Sequence, residues 1–261
     1  DLEPDPGGGG ARIRRGVAKD RTISVTDPEM RHGRKSRSRV INGFKRHIAT
    51  DLDSHLILAA SVRPANEREH AVEVEVRPDI ARIGDVTELH IDRGYLAGTW
   101  PKRLFAEGKT VLSRPWRRNS PRFTKSDFTF DFEDGTVTCP AGETANIRPG
   151  RPGKPGRAAF SSPTCRACPK RLDCLPPTQD RGRTLTLHEA ENLLQDLRRL
   201  RKTSEGREKL RERVRVEHAL AHVAARQGPR ARYRGIRKNT FDLRRTAAVE
   251  NLHCLLRKEA A

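Results

Sequence analysis

Two hydrophobic patterns divide this sequence, and their order is the feature that most limits its fold. Short β-prone runs fill the first half, at residues 21–26, 47–50, 55–62, 86–91 and 109–114. The second and third runs are predicted to form a hairpin around the turn at residues 51–54. Helical periodicity dominates the end of the chain, at about 186–203, 205–226 and 239–258, with weaker helical patterns at 67–82 and 101–107. Strands followed by helices, with an irregular segment lodged between them, predict an α/β or α+β core.

The segment between the strands and the helices has its own composition. Residues 119–185 carry many of the Pro and Gly residues and four of the five cysteines. We predict a loop-dominated, Cys-rich insertion that is held by something other than a hydrophobic core. The predicted divisions are a linker at 1–20, a first core part at 21–118, this insertion, and C-terminal core helices at 186–261. Because the chain opens with DLEPDPGGGG, a linker-like run without an initiator Met, we expect a fragment of a longer protein.

The charge of the chain is strongly unbalanced. It has 53 Lys and Arg against 34 Asp and Glu, a formal charge of +19. Such an excess favours a polyanionic partner, nucleic acid being the commonest, with membrane surfaces and acidic proteins as the alternatives. The sequence has neither an apolar run of about 18 residues nor a signal segment, so we expect a soluble, cytoplasmic protein.

Two basic segments, 31–46 and 226–245, are the best candidates for contacts with DNA. Arginine and lysine pair with phosphates, and an interleaved aromatic ring can stack on a base or sugar. The alternative for each segment is a solvated basic surface. The predicted DNA-binding residues are Arg31, Arg34, Lys35, Arg37, Lys45, Arg230, Arg232, Tyr233, Arg234, Arg237 and Lys238.

Four cysteines predict a structural zinc site. They are Cys139, Cys165, Cys168 and Cys174, which lie within 36 residues and include one C-x-x-C pair. Tetrahedral thiolate coordination of Zn²⁺ can replace a hydrophobic core in such a segment. Reduced free thiols and disulfides are the alternatives. The fifth cysteine, Cys254, lies among leucines of the last helical run and is expected to be a core residue.

Two carboxylates are candidates for catalysis. Asp92 follows a β-prone run and precedes a glycine, a position that suits a catalytic acid at a strand end but equally suits an Asp that caps its own turn. On a helical projection Glu217 shares an apolar face with Leu210 and Val214, where only Arg213 is also charged. A buried carboxylate needs a partner, so Glu217 is predicted to bind a metal ion or to pair with Arg213.

Several segments, in one order, carry a family resemblance. They are D27-P-E-M-R-H-G-R-K-S, N42-G-F-K-R-H-I-A-T-D51, I91-D92-R-G-Y95, R215-V-E217-H and R232-Y-R-G-I-R-K-N239. Together they resemble the DDE transposases of bacterial insertion sequences over nearly the whole chain. The resemblance implies an RNase H-like mixed sheet with helices, in which Asp92 is the second catalytic acid and Glu217 the third.

The resemblance also assigns a role to Arg213 and shows two departures. Family members often carry Tyr-(2)-Arg-(3)-Glu-(6)-Lys around the third acid, and Arg213 and Glu217 match the Arg and Glu. Leu210 and Ala224 stand where the Tyr and Lys would be, which puts the DNA contacts of those two positions in doubt. The first acid lies upstream of the Asp27 segment in the family, so the chain is expected to lack it. Asp27 itself is a weak substitute.

The activity implied is DNA cleavage and strand transfer at insertion-sequence ends, with Asp92 and Glu217 holding two Mg²⁺ or Mn²⁺ ions. Without the first acid, we expect the chain alone to be inactive. The implied partners are the double-stranded DNA of transposon ends and target, with no membrane, and a homodimer on DNA within a bacterial nucleoid. The alternatives are a non-catalytic DNA-binding remnant of a decayed element and a nuclease that cuts without joining.

Overall fold

A computed structural model describes residues 2–4, 7–13, 20–34, 38–115, 120–151 and 154–259. The chain divides into two compact units. One comprises residues 1–101 and 211–261, and the other residues 102–210. We call them the outer unit and the inner unit, after their places in the sequence. The domain boundaries expected from composition remain a prediction.

The elements follow the predicted order of strands and helices. The strands are β1 Leu2–Pro4, β2 Ala11–Ile13, β3 Arg31–Arg34, β4 Val40–Thr50, β5 Ile57–Pro64, β6 Glu88–His90, β7 Thr110–Leu112, β8 Thr129–Asp131, β9 Thr136–Thr138, β10 Thr144–Arg148, β11 Gly156–Ala159 and β12 Thr184–Leu187. The helices are α1 Glu73–Ala81, α2 Thr99–Ala106, α3 Ser162–Ala167, α4 Arg171–Cys174, α5 Glu191–Leu200, α6 Ser204–Glu212, α7 Val214–Gln227 and α8 Ile236–Glu259. The chain is therefore a mixed α/β protein, as expected. Among the described residues, no helix has the length and apolar character to cross a membrane.

A three-stranded antiparallel sheet, in the order β3-β4-β5, organises the outer unit. The predicted hairpin is confirmed, because β4 and β5 pair around a turn in which the Ser54 N–H donates to the Asp51 carboxylate at 2.7 Å. Side chains of β4 alternate between its faces, and Phe44 and Ile48 pack on a core that includes Val223 of α7 and Leu243 of α8. The strand predicted at residues 21–26 is wrong, since only an isolated bridge from Thr22 to Arg31 forms there.

The inner unit contains a five-stranded antiparallel sheet in the order β12-β11-β10-β9-β8. Its buried core includes Phe128, Val137, Ala158 and Leu185. The expectation of a loop-dominated segment without a hydrophobic core is therefore wrong. The strands are only three to five residues long and rich in threonine and charge, so each contributes one or two apolar side chains, too few to give a clear period in the sequence.

The late helices differ from the predicted pattern in two places. The run predicted at 205–226 is interrupted at Arg213, which separates α6 from α7. The buried residues of α7 are Val223 and Gln227, whereas Glu217 is exposed. The predicted burial of Glu217 is therefore wrong. In α8 Cys254 is only half-buried, and the leucines around it, Leu252, Leu255 and Leu256, are exposed, so its expected place in a core is also wrong.

Candidate active site

The guanidinium of Arg213 joins the two predicted catalytic acids of the outer unit. Its Nη1 donates to Oδ1 of Asp92 at 2.5 Å, and its Nη2 donates to Oε1 of Glu217 at 2.6 Å. The arginine side chain is 15% exposed, whereas those of Asp92 and Glu217 are 64% and 55% exposed. The salt bridge expected between Arg213 and Glu217 thus exists, and Asp92 shares it. Two acids far apart in sequence meet at one cation, on a surface open to a large ligand.

The break between α6 and α7 positions Arg213. The residue lies between the two helices, and its Cα is one turn of α7 before Glu217, the i, i+4 spacing that brings side chains together. Asp92 has extended backbone geometry, with φ −74° and ψ 157°, directly after β6. Its carbonyl oxygen accepts the N–H of Tyr95 at 3.0 Å, which fixes the turn after the strand. The carboxylate of Asp92 therefore comes from the end of β6, and that of Glu217 comes from the first turn of α7.

A buried histidine–tyrosine pair supports the turn that follows Asp92. The Tyr95 hydroxyl lies 2.6 Å from Nδ1 of His47 on β4. Burial lowers the pKa of His47 to about 4, with Lys45 and Arg63 acting in the same direction and Glu69 opposing them. Burial also raises the pKa of Tyr95 well above its ordinary value, so both groups are neutral at pH 7. Neutral partners make a stable hydrogen bond between the sheet and the turn.

The joined acids line a broad cavity of about 610 Å³ within the outer unit. Residues 46–53 of β4 and its turn form one wall, residues 83–92 form another, and residues 212–217 form a third. Strand β5 pairs with one edge of β4. Along the other edge, β3 pairs with β4 only as far as Gly43. Among the described residues, no strand pairs with that edge of β4 over residues 44–50. The acids thus lie beside a long open edge of a sheet.

A second cluster of possible metal ligands lines the same cavity. Ligand atoms of Glu88, His90 and Glu212 all lie within 4.8 Å of one another, the one such group among the described residues. This cluster was missed in the sequence. The alternation Glu88-x-His90-x-Asp92 is the signal that could have found it, because alternate residues of an extended chain share a face.

A braced basic loop connects α7 and α8. The Asn239 side chain, which is buried, donates to the carbonyl oxygens of Tyr233 and Gly235 at 2.6 and 2.8 Å. Gly235 has φ 83°, a conformation that favours glycine, and its N–H donates to the Asp27 carboxylate at 2.9 Å. The N–H of Ile236 donates to Glu29 at 2.8 Å. Asp27 and Glu29 therefore satisfy N–H groups at the start of α8, which gives Asp27 a structural role.

The predicted DNA-binding residues fall into three groups: exposed residues, residues whose side chains bond within the protein, and residues outside the described part of the chain. Those of the α7–α8 loop and the start of α8 are exposed, namely Arg230, Arg232, Tyr233, Arg234, Arg237 and Lys238. Arg34 is also exposed, but Lys45 is mostly buried, with its amine donating to the Glu67 carbonyl and the Glu69 carboxylate. Arg31 donates to the carbonyls of Pro28 and Met30. Lys35 and Arg37 lie outside the described residues.

The four predicted zinc ligands of the inner unit line one cavity. All four are free thiols, and the backbone N–H of Arg183 donates to Sγ of Cys165 at 3.4 Å. Burial raises the pKa of the Cys174 thiol, as do the thiols of Cys139, Cys165 and Cys168, against the effect of Arg183. Among the described residues, no three of these sulfurs lie within 4.8 Å of one another. The thiols therefore converge on one cavity without forming a closed set.

Comparison with known proteins gives one match. Residues 138–256 match a protein family described as the transposase DDE domain. The match supports the predicted DDE-type transposase, and with it a nuclease or transferase family that acts on DNA. The matched range contains the four thiols, Arg213, Glu217 and the basic loop, and it does not include Asp92. No curated protein and no solved structure matches the chain.

Proposed function

We propose, on the premise that the chain is a DDE-type transposase, that it takes part in metal-dependent DNA cleavage and strand transfer at the ends of an insertion sequence. Asp92 and Glu217 are two of its catalytic acids, and Arg213 holds them together. The observation that carries this proposal is the shared guanidinium, since it draws a strand-end Asp and a helical Glu to one exposed point. A phosphodiester backbone can approach carboxylates that are more than half exposed.

The acids have the chemistry for divalent cations. Each carboxylate gives one oxygen to Arg213, and among the described residues the second oxygen of each makes no hydrogen bond. Oxygen donors that already converge on a positive group suit Mg²⁺ or Mn²⁺, which bind few carboxylates and keep several waters. When bound in pairs, such ions activate the attacking water or 3′-hydroxyl and stabilise the leaving oxygen. In this proposal Asp92 and Glu217 hold the ions, and Arg213 keeps the two acids together until the ions bind.

An RNase H-like sheet is also part of the proposal. Residues 44–50 of β4 present an edge without a strand partner among the described residues, and this edge and residues 88–92 line one cavity. A strand seated there would carry its side chains beside Asp92. An RNase H-like core needs a central strand in this position, flanked by the strands that bear or support the acids. The cavity therefore supports this fold for the outer unit.

We assign DNA contacts to the exposed part of the predicted set. Arg230, Arg234 and Arg237 project from the braced loop and the start of α8. Tyr233 in the same loop is 47% exposed and can stack on a base or sugar. Rigid support from Asn239 lowers the entropy lost when the loop binds a phosphate backbone. Lys45 is withdrawn from this set because its amine is already engaged inside the outer unit.

We further propose that the thiol cavity of the inner unit binds one structural Zn²⁺. Four thiols lining one cavity match the preferred donors and coordination number of this ion. The N–H donated to Cys165 is the type of contact that stabilises a metal-bound thiolate. Elemental analysis should find one zinc per chain, and Cys168→Ser should lower that ratio, whereas Cys254→Ser should leave it unchanged. Zinc that stays at one per chain in Cys168→Ser would overturn this ligand set.

The catalytic proposal is tested by DNA cleavage. The full-length protein is incubated with Mg²⁺ and duplex DNA that carries the terminal sequences of its element, and strand breaks are counted on denaturing gels. Asp92→Asn and Glu217→Gln should each abolish cleavage while leaving DNA retention in mobility-shift gels intact. Asp53→Asn is the matched control, since this acid lines the same cavity without contacting Arg213. Equal cleavage by Asp92→Asn and wild type would reject the assignment.

One observation favours a second function. Arg213 already neutralises both acids, as expected for a DNA-binding remnant whose cation site has been replaced by a protein ion pair. This alternative predicts specific retention of the terminal DNA with no strand breaks in Mg²⁺ or Mn²⁺. Joining of cleaved ends to a target plasmid in the same assay separates a transposase from a nuclease that only cuts.

A further inference from the structure

Three side chains of the outer unit form a compact ligand set beside the proposed catalytic acids. Nε2 of His90 lies 2.6 Å from Oε1 of Glu88 and 3.8 Å from Oε2 of Glu212. The His90 side chain is 4% exposed, so its ring nitrogen points at the carboxylates rather than at bulk solvent. Glu88 and Glu212 are partly exposed, at 30% and 41%, and line the cavity. An ion can therefore reach the set from the cavity.

The cluster is separate from the pair of acids that Arg213 joins. Glu88, His90 and Asp92 alternate along an extended segment and so share one face. Glu212 ends α6, one residue before Arg213. The guanidinium bonds Asp92 and Glu217, whereas the carboxylates of Glu88 and Glu212 face the imidazole of His90. The Glu88 cluster and the Arg213 ion pairs thus lie on the same two segments, the end of β6 and the α6–α7 junction, but use different side chains.

We infer that Glu88, His90 and Glu212 bind one divalent transition-metal ion such as Mn²⁺. An imidazole nitrogen with two carboxylate oxygens selects first-row transition metals over Mg²⁺, which prefers oxygen ligands alone. Two carboxylates balance the charge of one divalent cation. Bonds to such ions are about 2.0–2.2 Å long. Because the ligand atoms already lie within 4.8 Å of one another, small rotations of the two partly exposed glutamates close the site.

The bound ion connects the two segments that carry the proposed catalytic acids. It joins β6, which leads to Asp92, to the end of α6, which leads through Arg213 to Glu217. The metal site therefore fixes the spacing of the acids, and its occupancy does not depend on their role in cleavage. Metal binding here can be established even if the protein proves to cut no DNA.

The test uses pulsed electron paramagnetic resonance of Mn²⁺ added to the full chain. A directly bound imidazole gives a nitrogen hyperfine coupling to Mn²⁺, which carboxylates and water do not give. We expect this coupling in the wild type and equally in the double variant Asp92→Asn, Glu217→Gln. In His90→Gln the coupling should disappear. The apparent Mn²⁺ affinity of the nitrogen-coordinated site should fall by more than about tenfold, the loss that even outer-shell changes can cause.

A second variant keeps the test decisive if the buried histidine is needed for folding. Glu212→Gln changes a partly exposed ligand and should weaken the nitrogen-coupled site, whereas Glu208→Gln, one helical turn earlier and exposed, should not. Absence of nitrogen coupling in the wild type overturns the site. So does coupling that survives in a folded His90→Gln variant. Loss of coupling in the double variant at Asp92 and Glu217 would instead merge this cluster with the proposed catalytic site and reject its independence.

Discussion

Replacement of Asp27 by alanine should destabilise the outer unit through the start of α8, although the residue lies two hundred positions earlier in the chain. Asp27 is buried, with 4% of its surface exposed. The carboxylate accepts the Gly235 N–H at 2.9 Å and the Glu29 N–H at 3.1 Å. Alanine would leave both N–H groups without their acceptor. Water reaches this position poorly, so the loss is not repaired by solvent.

The expected cost follows from these two contacts. A buried donor that loses its partner costs about 1–3 kcal/mol, and an acceptor lost at a helix N-terminus costs typically ~1 kcal/mol. The two estimates overlap at Gly235, so we expect Asp27→Ala to lower the free energy of unfolding by roughly 2–3 kcal/mol. Glu29→Ala removes one bond from a more exposed side chain, to the Ile236 N–H, and should cost about 1 kcal/mol.

Urea unfolding followed by circular dichroism measures these differences. Asp180→Ala serves as the control, because Asp180 is exposed and makes no side-chain hydrogen bond among the described residues. The midpoint should fall in the order Asp180→Ala, Glu29→Ala, Asp27→Ala at constant slope. If Asp27→Ala and Asp180→Ala unfold at the same urea concentration, Asp27 does not brace α8. The resemblance of its segment to a transposase motif would then need another physical reason.

Three further predictions concern the site. Burial lowers the folded-state pKa of His47 to about 4, below its unfolded value. The stability that depends on neutral His47 is therefore complete above about pH 6.5 and should fall by up to roughly 3 kcal/mol as the pH drops to 4. His47→Gln should remove this pH dependence in acid unfolding. Arg213→Gln should lower the free energy of unfolding by only about 1 kcal/mol, because the partners of Arg213 are exposed. The same variant should show a larger rise in melting temperature when Mn²⁺ is added. A rise equal to that of the control Arg199→Gln would contradict competition between the guanidinium and the metal ion. Arg234→Ala should weaken DNA binding and reduce the slope of log affinity against log salt by about 1, whereas Lys45→Ala should leave that slope unchanged in mobility-shift titrations.

The sequence predicted the strand hairpin well because local rules determine it. Asp51 and Ser54 form a turn by their own side-chain hydrogen bond, and the flanking apolar runs have β-prone composition. The sequence predicted the inner unit poorly. Its sheet is assembled from short strands such as β9, whose apolar contribution is the single buried residue Val137. A core built from one or two residues per strand leaves too short a hydrophobic period to detect, whereas the four cysteines stand out in the sequence.

The predicted burial of Glu217 was wrong, although the ion pair with Arg213 that was predicted as one outcome is present. A projection of one continuous helix places Glu217 on the apolar face, but α7 begins after the break at Arg213 and buries Val223 and Gln227 instead. No capping residue or proline marks this break in the sequence. At this break Arg213 bonds Asp92, which is far away in the sequence. A helical projection cannot represent such a contact between distant segments.

The exposure of Glu217 changes what the acid can do. A buried, unpaired carboxylate would shift toward its neutral form and would bind metal only after losing its proton. A carboxylate that is 55% exposed and bonded to a guanidinium is open to solvent, as an acid that must exchange hydrated cations and meet a DNA backbone requires. The cation that holds it is part of the protein and sits between it and Asp92. Since one guanidinium cannot bridge both acids while a metal ion occupies the same oxygens, metal loading must move Arg213 or use the second oxygen of each carboxylate.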